Sequence, residues 1–316
     1  MTETLEAARG AATRALREGG IATPALDARL LLCHAAGLSH EALIRRNREG
    51  LNAEVAAQLA SFVARRLQGE PVSRIRGVRE FYGRDFRVDG DTLDPRPDTE
   101  TLIAAALELV SRSGWQRRPL KLLDLGTGSG CILLTLLAEL PEAQGVGTDR
   151  CQGALRLAAE NARRLGLAAR ARFIGADWLE GVGGRFDLIV SNPPYIASAE
   201  IAGLAAEVAA FDPRAALDGG VDGLDAYRRI AEKARAALAP GGRIVVEIGP
   251  TQAEAVSGLF RAAGLTVQGD DLRLDLAGRL RCVLAGGPVE DRLDGRTPPK
   301  MSLEKLDDQG RFVATE

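Results

Sequence analysis

Aromatic side chains are scarce in this 316-residue chain: eight Phe, three Tyr and two Trp, against 36 Gly. A core so poor in rings is packed by Leu, Val, Ile and Ala, so a ring at a loop or strand end asks for its own explanation. Histidine is scarcer still, with only His34 and His40. The four cysteines, Cys33, Cys131, Cys151 and Cys282, form no CxxC, and no HExxH occurs. That pattern offers neither a structural zinc site nor a histidine-centred triad, and no metal is expected. Cysteines scattered among aliphatic residues suit reduced, buried thiols in a cytoplasmic protein. Long apolar runs are missing too. No stretch of ~18 apolar residues spans a bilayer and no signal peptide opens the chain, so neither a membrane partner nor export is expected. Neither sign of charge dominates, with 41 Lys and Arg against 43 Asp and Glu. A broad basic face for nucleic acid is therefore excluded and no direct nucleic-acid partner is expected, although a local basic patch stays open.

What remains is an ordinary globular composition, 46% hydrophobic and 27% charged, long enough for about two domains at ~150 residues each. Residues 1–70 carry apolar side chains at three- and four-residue spacing (Leu5, Ala8, Ala12, Leu16; Leu26, Leu30, Leu31; Val55, Leu59, Phe62), broken at Gly19-Gly20, Pro24, Gly37 and Gly50. This predicts a small bundle of four or five helices. Residues 71–97 change to short stretches rich in Val, Ile, Phe and Tyr, which reads as a β-hairpin linker from Pro71 to Val88. From 98 to 285 helix and strand alternate. Strands are expected at Leu120–Leu125, Gln144–Thr148, Arg170–Ile174, Phe186–Ser191, Arg243–Ile248, Leu265–Gly269 and Leu280–Leu284, with a turn at Pro240-Gly241-Gly242. Such alternation predicts an α/β domain with a mostly parallel sheet, helices on both faces and ligands at the C-terminal strand ends. Residues 286–316 are polar and aperiodic, the pattern of a disordered tail.

Three elements carry chemistry. Asp124-Leu125-Gly126-Thr127-Gly128-Ser129-Gly130 is a strand running into a glycine loop that opens a helix. A tight strand-to-helix turn would use glycines too, but alternate glycines also let a ligand approach the backbone. The spacing is GxGxG, neither the dinucleotide GxGxxG nor a phosphate loop with Gly-Lys-Ser/Thr, so a nucleoside without a pyrophosphate fits better. Asp149 ends the next strand, where an acid accepts from ribose hydroxyls or caps a helix. Asp177-Trp178 follows the third strand: a carboxylate for an exocyclic amine and an indole for a ring face, or simply a surface Trp. Last comes Ser191-Asn192-Pro193-Pro194-Tyr195 at a strand end. Its prolines stiffen the backbone and remove two N–H donors, leaving carbonyls and the Asn192 amide oxygen as acceptors, while Tyr195 walls a flat group.

In this combination the chain resembles class I S-adenosylmethionine-dependent methyltransferases, which act on planar nitrogens through Asn-Pro-Pro-Tyr. It is most similar to the protein-(glutamine-N5) methyltransferases of peptide chain release factors. The segments that carry the resemblance are Gly77–Gly83, Pro95-Arg96-Pro97-Asp98-Thr99-Glu100, Asp124–Gly130, Val190–Ile196, Asp222-Gly223-Leu224 with Tyr227-Arg228, and Glu247-Ile248-Gly249 with Gln252, in family order. Asp94, Asp212 and the basic Ser73–Arg76 depart from the family pattern. The resemblance implies a Rossmann-like seven-stranded sheet. S-adenosylmethionine would be the cofactor, S-adenosylhomocysteine the product, and the glutamine of a release-factor GGQ motif the substrate.

Gly126, Thr127, Gly128, Ser129, Gly130, Asp149, Asp177, Trp178 and Asn192 would hold the cofactor. Asn192, Pro193, Pro194 and Tyr195 would hold the glutamine, Asn192, Pro193 and Tyr195 being catalytic. Arg96 and Glu100 would be substrate contacts or interdomain struts. The helical domain would recognise the protein substrate, with Arg65, Arg66, Arg74, Arg76, Arg79, Arg84 and Arg87 as a basic contact surface or a solvated face. The rivals are a ribosomal-protein glutamine methyltransferase, an adenine-N6 methyltransferase of nucleic acid and a non-catalytic adaptor. Phe81, Tyr82, Phe86, Trp178, Tyr195, Phe211 and Tyr227 all fall at these motifs, which makes the scarce rings pointers to ligand and substrate.

Overall fold

The computed structural model describes residues 3–287, together with the backbone of 305–306 and 312–313. The expected disordered tail otherwise lies outside the described residues. The chain divides into two compact units.

The first unit comprises residues up to Arg79, Val88–Gly90 and Ala205–Phe211. Its helices are α1 (Leu5–Glu18), α2 (Pro24–Ala36), α3 (His40–Arg45), α4 (Ala53–Leu67) and α5 (Val72–Arg76). Side chains start three of them. Thr4 accepts from the Ala7 N–H, Ser39 from Ala42 and Asn52 from Val55, each satisfying a donor that the first helical turn leaves open. Pro24 opens α2, and Gly37, in the left-handed region, ends it. Leu5, Ala8, Ala12, Leu16, Leu31, Leu32, Leu59, Phe62 and Ile75 form the core. Among them Asp27 and Arg66 are buried as an ion pair at 2.8 Å, and Asp27 also accepts from the Thr23 hydroxyl at 2.8 Å. Burial of these charges is tolerable because both are paired and hydrogen-bonded. Helix α5 corrects the expected hairpin start: Val72 and Ile75 stand one helical turn apart, and Ile75 belongs to the helical core.

The hairpin proper is β1 (Val78–Phe81) and β2 (Arg84–Arg87). In the second unit follow α6 (Glu100–Arg112), β3 (Lys121–Leu125), α7 (Cys131–Glu139), β4 (Gln144–Asp149), α8 (Gln152–Arg164), β5 (Ala171–Gly175) and β6 (Phe186–Ser191). After β6 the chain forms α9 (Ala206–Phe211), which groups with the first unit. It then continues through α10 (Asp225–Ala237), β7 (Leu238–Glu247), α11 (Ala253–Ala262), β8 (Leu272–Leu274) and β9 (Leu280–Gly286). Two short strands, β10 (Lys305–Leu306) and β11 (Phe312–Val313), pair antiparallel.

The second unit is built on a seven-stranded sheet in the order β5-β4-β3-β6-β7-β9-β8. Five neighbouring strands run parallel, and β9 and β8 pair antiparallel at one side. The expected strand at Leu265–Gly269 is only a one-residue bridge from Thr266 to Gly286. The buried Leu265 and half-buried Val267 made its alternation look like a strand, but Leu272–Leu274 pairs with β9 instead. The expected turn at Pro240–Gly242 is a bulge inside β7, where the register jumps from Phe186↔Leu238 to Leu188↔Arg243. One face of the sheet packs with α6 and α7 and the Phe81–Phe86 edge-to-face pair. The other packs with α10 and α11. The strand order reverses direction between β3 and β6, so the loops leaving those two strands diverge and open a crevice at their C-terminal ends. Leu125 is paired with both Thr148 and Ser191, and Ser191 with Val246. Four strand ends thus meet at one level. No helix among the described residues is long and apolar enough to cross a membrane.

Candidate active site

The loop after β3 turns on Gly126, Gly128 and Gly130, all at positive φ. At Gly126 it is the φ of 69° that calls for glycine, and the Trp178 indole packs beside the loop, 3.5 Å from where a Cβ would stand. Trp178 itself adopts φ 57°, a conformation a bulky residue rarely holds without being held. Thr127 ties the loop down: its N–H donates to Thr148 O at 2.8 Å and its hydroxyl to Asp124 at 2.6 Å. Asp124 is wholly buried, which pushes its carboxyl up to about 7, and its Oδ1 meets no hydrogen-bond partner. Ser129 is buried, its carbonyl accepting from Asn161 at 2.9 Å. At the end of β4, Asp149 accepts from the Gly128 N–H at 3.0 Å and the Cys151 N–H at 2.9 Å. Each of its oxygens keeps lone-pair capacity for a hydroxyl. An indole beside a glycine backbone and the Asp149 carboxylate next to it form a cradle suited to a nucleoside. Asp177, by contrast, forms an ion pair with Arg229 at 2.9 Å and is substantially exposed.

Asn192 follows β6, whose last residue is anchored by a bond from the Ser191 hydroxyl to Leu125 O at 2.8 Å. The Asn192 amide nitrogen donates to Thr99 Oγ1 at 3.1 Å. The rest of the motif is clamped from outside. Gln252 donates from Nε2 to Tyr195 O at 2.9 Å and to Gly223 O at 3.2 Å, while its Oε1 accepts from the Gly249 N–H. Ile196 exchanges backbone bonds with Leu217 and Gly219. Gly223 is required there, since a Cβ would stand 2.4 Å from Tyr195 O. Behind the motif lies Glu247, the last residue of β7 and 1% exposed. Its backbone carbonyl accepts from the Tyr227 hydroxyl at 2.8 Å, and Tyr195 Oη stands 3.5 Å from its Oε1. Burial pushes the Glu247 carboxyl up to about 7, opposed by Thr99 and Arg281. Burial and the Glu247 charge push the Tyr195 phenol up to about 12, so it stays protonated near neutrality and is no base. Arg281 bridges Asp98, in the short 3-10 turn just before α6, and the buried Asp275 at 2.8 and 3.1 Å.

The glycine loop, Asp149 and Trp178 thus follow the C-terminal ends of the neighbouring strands β3, β4 and β5, and Asn192 and Tyr195 that of β6 beside β3. Arg96 forms an ion pair with Asp212, which also accepts from the Asp94 N–H, so two departures from the family pattern meet. Glu100 accepts from the Tyr82 N–H at 3.0 Å. Both are committed to bonds inside their own unit, and Thr99 between them is the residue that reaches Asn192. Thr99, Glu247 and Gln252 received no role from the sequence. A signal for Glu247 existed: an acid closing the aliphatic run Ile244-Val245-Val246. The proposed basic surface is largely neutralised. Arg66 is buried against Asp27 and Glu207, Arg65 pairs with Glu70, Arg84 with Glu139 and Arg87 with Glu160. The aromatic pointer needs correction as well, because Phe81, Phe86 and Tyr227 are fully buried packing residues.

Comparison with known proteins decides the family. The chain is 50% identical to the release factor glutamine methyltransferase of Rhodospirillum rubrum over 284 residues, covering 90% of this chain and 84% of that one. It is 47% identical to the enzyme of the same name in Bradyrhizobium diazoefficiens, covering 90% and 95%. This chain belongs to the release factor glutamine methyltransferase family. Residues 7–77 match the PrmC N-terminal domain and 108–220 the methyltransferase small domain, so the family's two domain models fall on the helical unit and across the glycine loop and Asn-Pro-Pro-Tyr. Among solved structures, the hMettl16 catalytic domain in complex with the MAT2A 3'UTR hairpin 6 shares the fold. It has 16% identity and a TM-score of 0.53, covering 65% of this chain and 76% of that one. For this release factor glutamine methyltransferase family member, no group of three or more His, Cys, Asp or Glu among the described residues could hold a metal ion.

Proposed function

We propose that this chain transfers a methyl group from S-adenosylmethionine to the side-chain amide nitrogen of a glutamine in peptide chain release factors. The observation that carries the reading is an amide acceptor, Asn192, set one strand away from the Gly126–Gly130 cradle, in a chain half identical to enzymes bearing that name. Bound in the cradle, S-adenosylmethionine supplies an electrophilic sulfonium methyl. Asp149 would accept from its ribose hydroxyls, and Trp178 and the loop backbone would hold its base. Asp177 is the group for the adenine amine, sharing its charge with Arg229.

A glutamine amide is a poor nucleophile because its nitrogen lone pair is delocalised into the carbonyl. Neither titratable neighbour of the motif is poised to deprotonate it: Tyr195 holds its proton, and Glu247 is buried with its carboxyl facing the Tyr195 hydroxyl. Placement is therefore the chain's main contribution. Asn192 Oδ1 and the Pro193 carbonyl accept the two amide hydrogens and aim the nitrogen, Pro194 keeps the turn rigid, and Tyr195 packs against the amide plane. As the N–CH3 bond forms and the S–CH3 bond breaks, S-adenosylhomocysteine is the leaving group and the acidified nitrogen sheds one proton to water. Orientation of this kind contributes up to ~7–11 kcal/mol, and acceptors facing the positive charge that grows on nitrogen add to it. The first unit recognises the protein substrate, and the reaction belongs in the cytoplasm, where release factors act.

Incubation with labelled S-adenosylmethionine and purified release factors, ribosomal proteins or DNA tests the reading. Label is expected in the release factors at the glutamine of their GGQ motif. Label in ribosomal protein or DNA alone contradicts it.

A further inference from the structure

A guanidinium is costly to take out of water, and packing alone gives no reason to place one inside a sheet. Arg281, the second residue of β9, is nonetheless 4% exposed and followed by the fully buried Cys282. Its Nη2 donates to the buried Asp275 at 3.1 Å and to Asp98 at 2.8 Å. Asp275 is well supplied without it, accepting from the Ala277 and Arg279 N–H groups and from the Arg279 side chain. The bond to Asp98 does something else, because it ties β9 to a segment 183 residues away. Arg279 also reaches Asp98, at 3.1 Å, but from the solvent side, where such a pair contributes little.

Asp98 is the middle residue of the 3-10 turn Pro97–Thr99. Pro97 fixes the entry to that turn and the Thr99 N–H closes it on Arg96 O at 3.1 Å, so Asp98 and Thr99 move together. Thr99 is buried, and its Oγ1 accepts from Asn192 Nδ2 at 3.1 Å. The backbone of Arg281 serves the other end of the motif. Its carbonyl accepts from the Ile248 N–H at 2.8 Å, the Gly249 N–H that follows donates to Gln252, and Gln252 holds Tyr195 O. We infer that Arg281 is a positioning residue for methyl transfer, its guanidinium fixing the Asp98-Thr99 turn and, through Thr99, the Asn192 side chain. An apolar side chain would fill the same place in β9 at less cost. It would leave the turn to drift, and a displacement of ~1 Å costs a placed reactant up to about a hundredfold in rate.

The inference rests on the reading of Asn192 as the amide acceptor, so Asn192→Ala is assayed beside the other variants. Each variant is measured for kcat on a purified release factor at saturating S-adenosylmethionine, and for the S-adenosylmethionine dissociation constant. Arg281→Met leaves Asp275 its backbone and Arg279 bonds and is expected to lower kcat about tenfold, with cofactor affinity within about threefold. Asp98→Ala cuts the same link from a half-exposed position and is expected to lose kcat to a similar extent. It carries the test alone, in both backgrounds, if Arg281→Met does not fold. The second background is Thr99→Val, where the turn has no hydroxyl left to meet Asn192. There Arg281→Met or Asp98→Ala is expected to change kcat by less than about twofold, whereas a merely structural ion pair would cost the same factor in both backgrounds. Parental kcat in Arg281→Met or Asp98→Ala, or equal factors in the two backgrounds, would overturn the role of Arg281 while leaving the acceptor reading in place. Parental kcat in Asn192→Ala would overturn the acceptor reading itself.

Discussion

The two halves of the crevice are held in different ways. The glycine loop after β3 is fixed by its own backbone and near neighbours: Thr127 reaches Asp124 and Thr148, and Asp149 takes the Gly128 N–H. The Asn-Pro-Pro-Tyr turn after β6 is fixed by side chains from distant segments, Thr99 before α6, Glu247 ending β7 and Gln252 before α11. A binding cradle works if a ligand's shape is met. A turn that must aim one nitrogen needs each acceptor pointed, and two prolines without N–H groups cannot hold themselves in place. The difference separates a region that binds from a region that orients.

The largest expected effect tests that separation on the orienting side. Asn192→Ala should lower methyl transfer a hundredfold or more, on the order of 3 kcal/mol of lost transition-state stabilisation, while calorimetry finds cofactor binding little changed. Next in size is a linkage effect under the same turn. Glu247 is raised from an ordinary 4.5 to about 7, mainly by burial, with Thr99, Arg281, Asp98 and Tyr195 acting on its charge. Its folded form therefore holds the proton more tightly than its unfolded form. The stability this provides is full below about pH 4.5 and is lost as pH rises through about 7. At about 1.4 kcal/mol per pKa unit, the loss is on the order of a few kcal/mol. Urea midpoints at pH 5 and pH 8 should therefore fall more steeply in the parent than in Glu247→Gln, and identical slopes would remove Glu247 from the account. The buried Asp124 acts in the same direction and remains in both proteins.

On the binding side, Asp149→Ala removes two accepted backbone bonds and the ribose acceptor. It should weaken S-adenosylmethionine binding about ten- to a hundredfold, the range for hydrogen bonds to a charged group, with kcat at saturation near the parent. Titration calorimetry checks this, and an unchanged dissociation constant would detach Asp149 from the cradle. Smallest is Gln252→Ala. Losing bonds to Tyr195 O and Gly223 O should cost about 1–2 kcal/mol in urea unfolding, with a severalfold fall in kcat.

The same contrast explains what could be read from the residues beforehand. The alternation of strands and helices, the helical bundle and both loops at their strand ends were legible, because they rest on local periodicity and on Gly and Pro punctuation. The helix at Val72–Arg76 was hidden by its length, five residues showing barely more than one turn. Leu265–Gly269 looked like a strand because alternating burial does not say which segment wins the sheet edge. At the site, Gly126–Gly130, Asp149 and Asn192 announced themselves. Thr99 and Gln252 did not, since a Thr before a helix and a Gln before another read as ordinary helix starts. The partners of Arg66 were equally invisible: Asp27 and Glu207 lie 39 and 141 residues away, and a basic side chain read as surface proved buried.

The most direct test of the division between binding and orienting is a paired measurement on Asn192→Ala and Asp149→Ala, the cofactor dissociation constant beside the single-turnover rate at saturating cofactor. The account predicts a crossed result, with rate lost at unchanged affinity in Asn192→Ala and affinity lost at near-parental rate in Asp149→Ala. Rate and affinity falling together in both variants would contradict it.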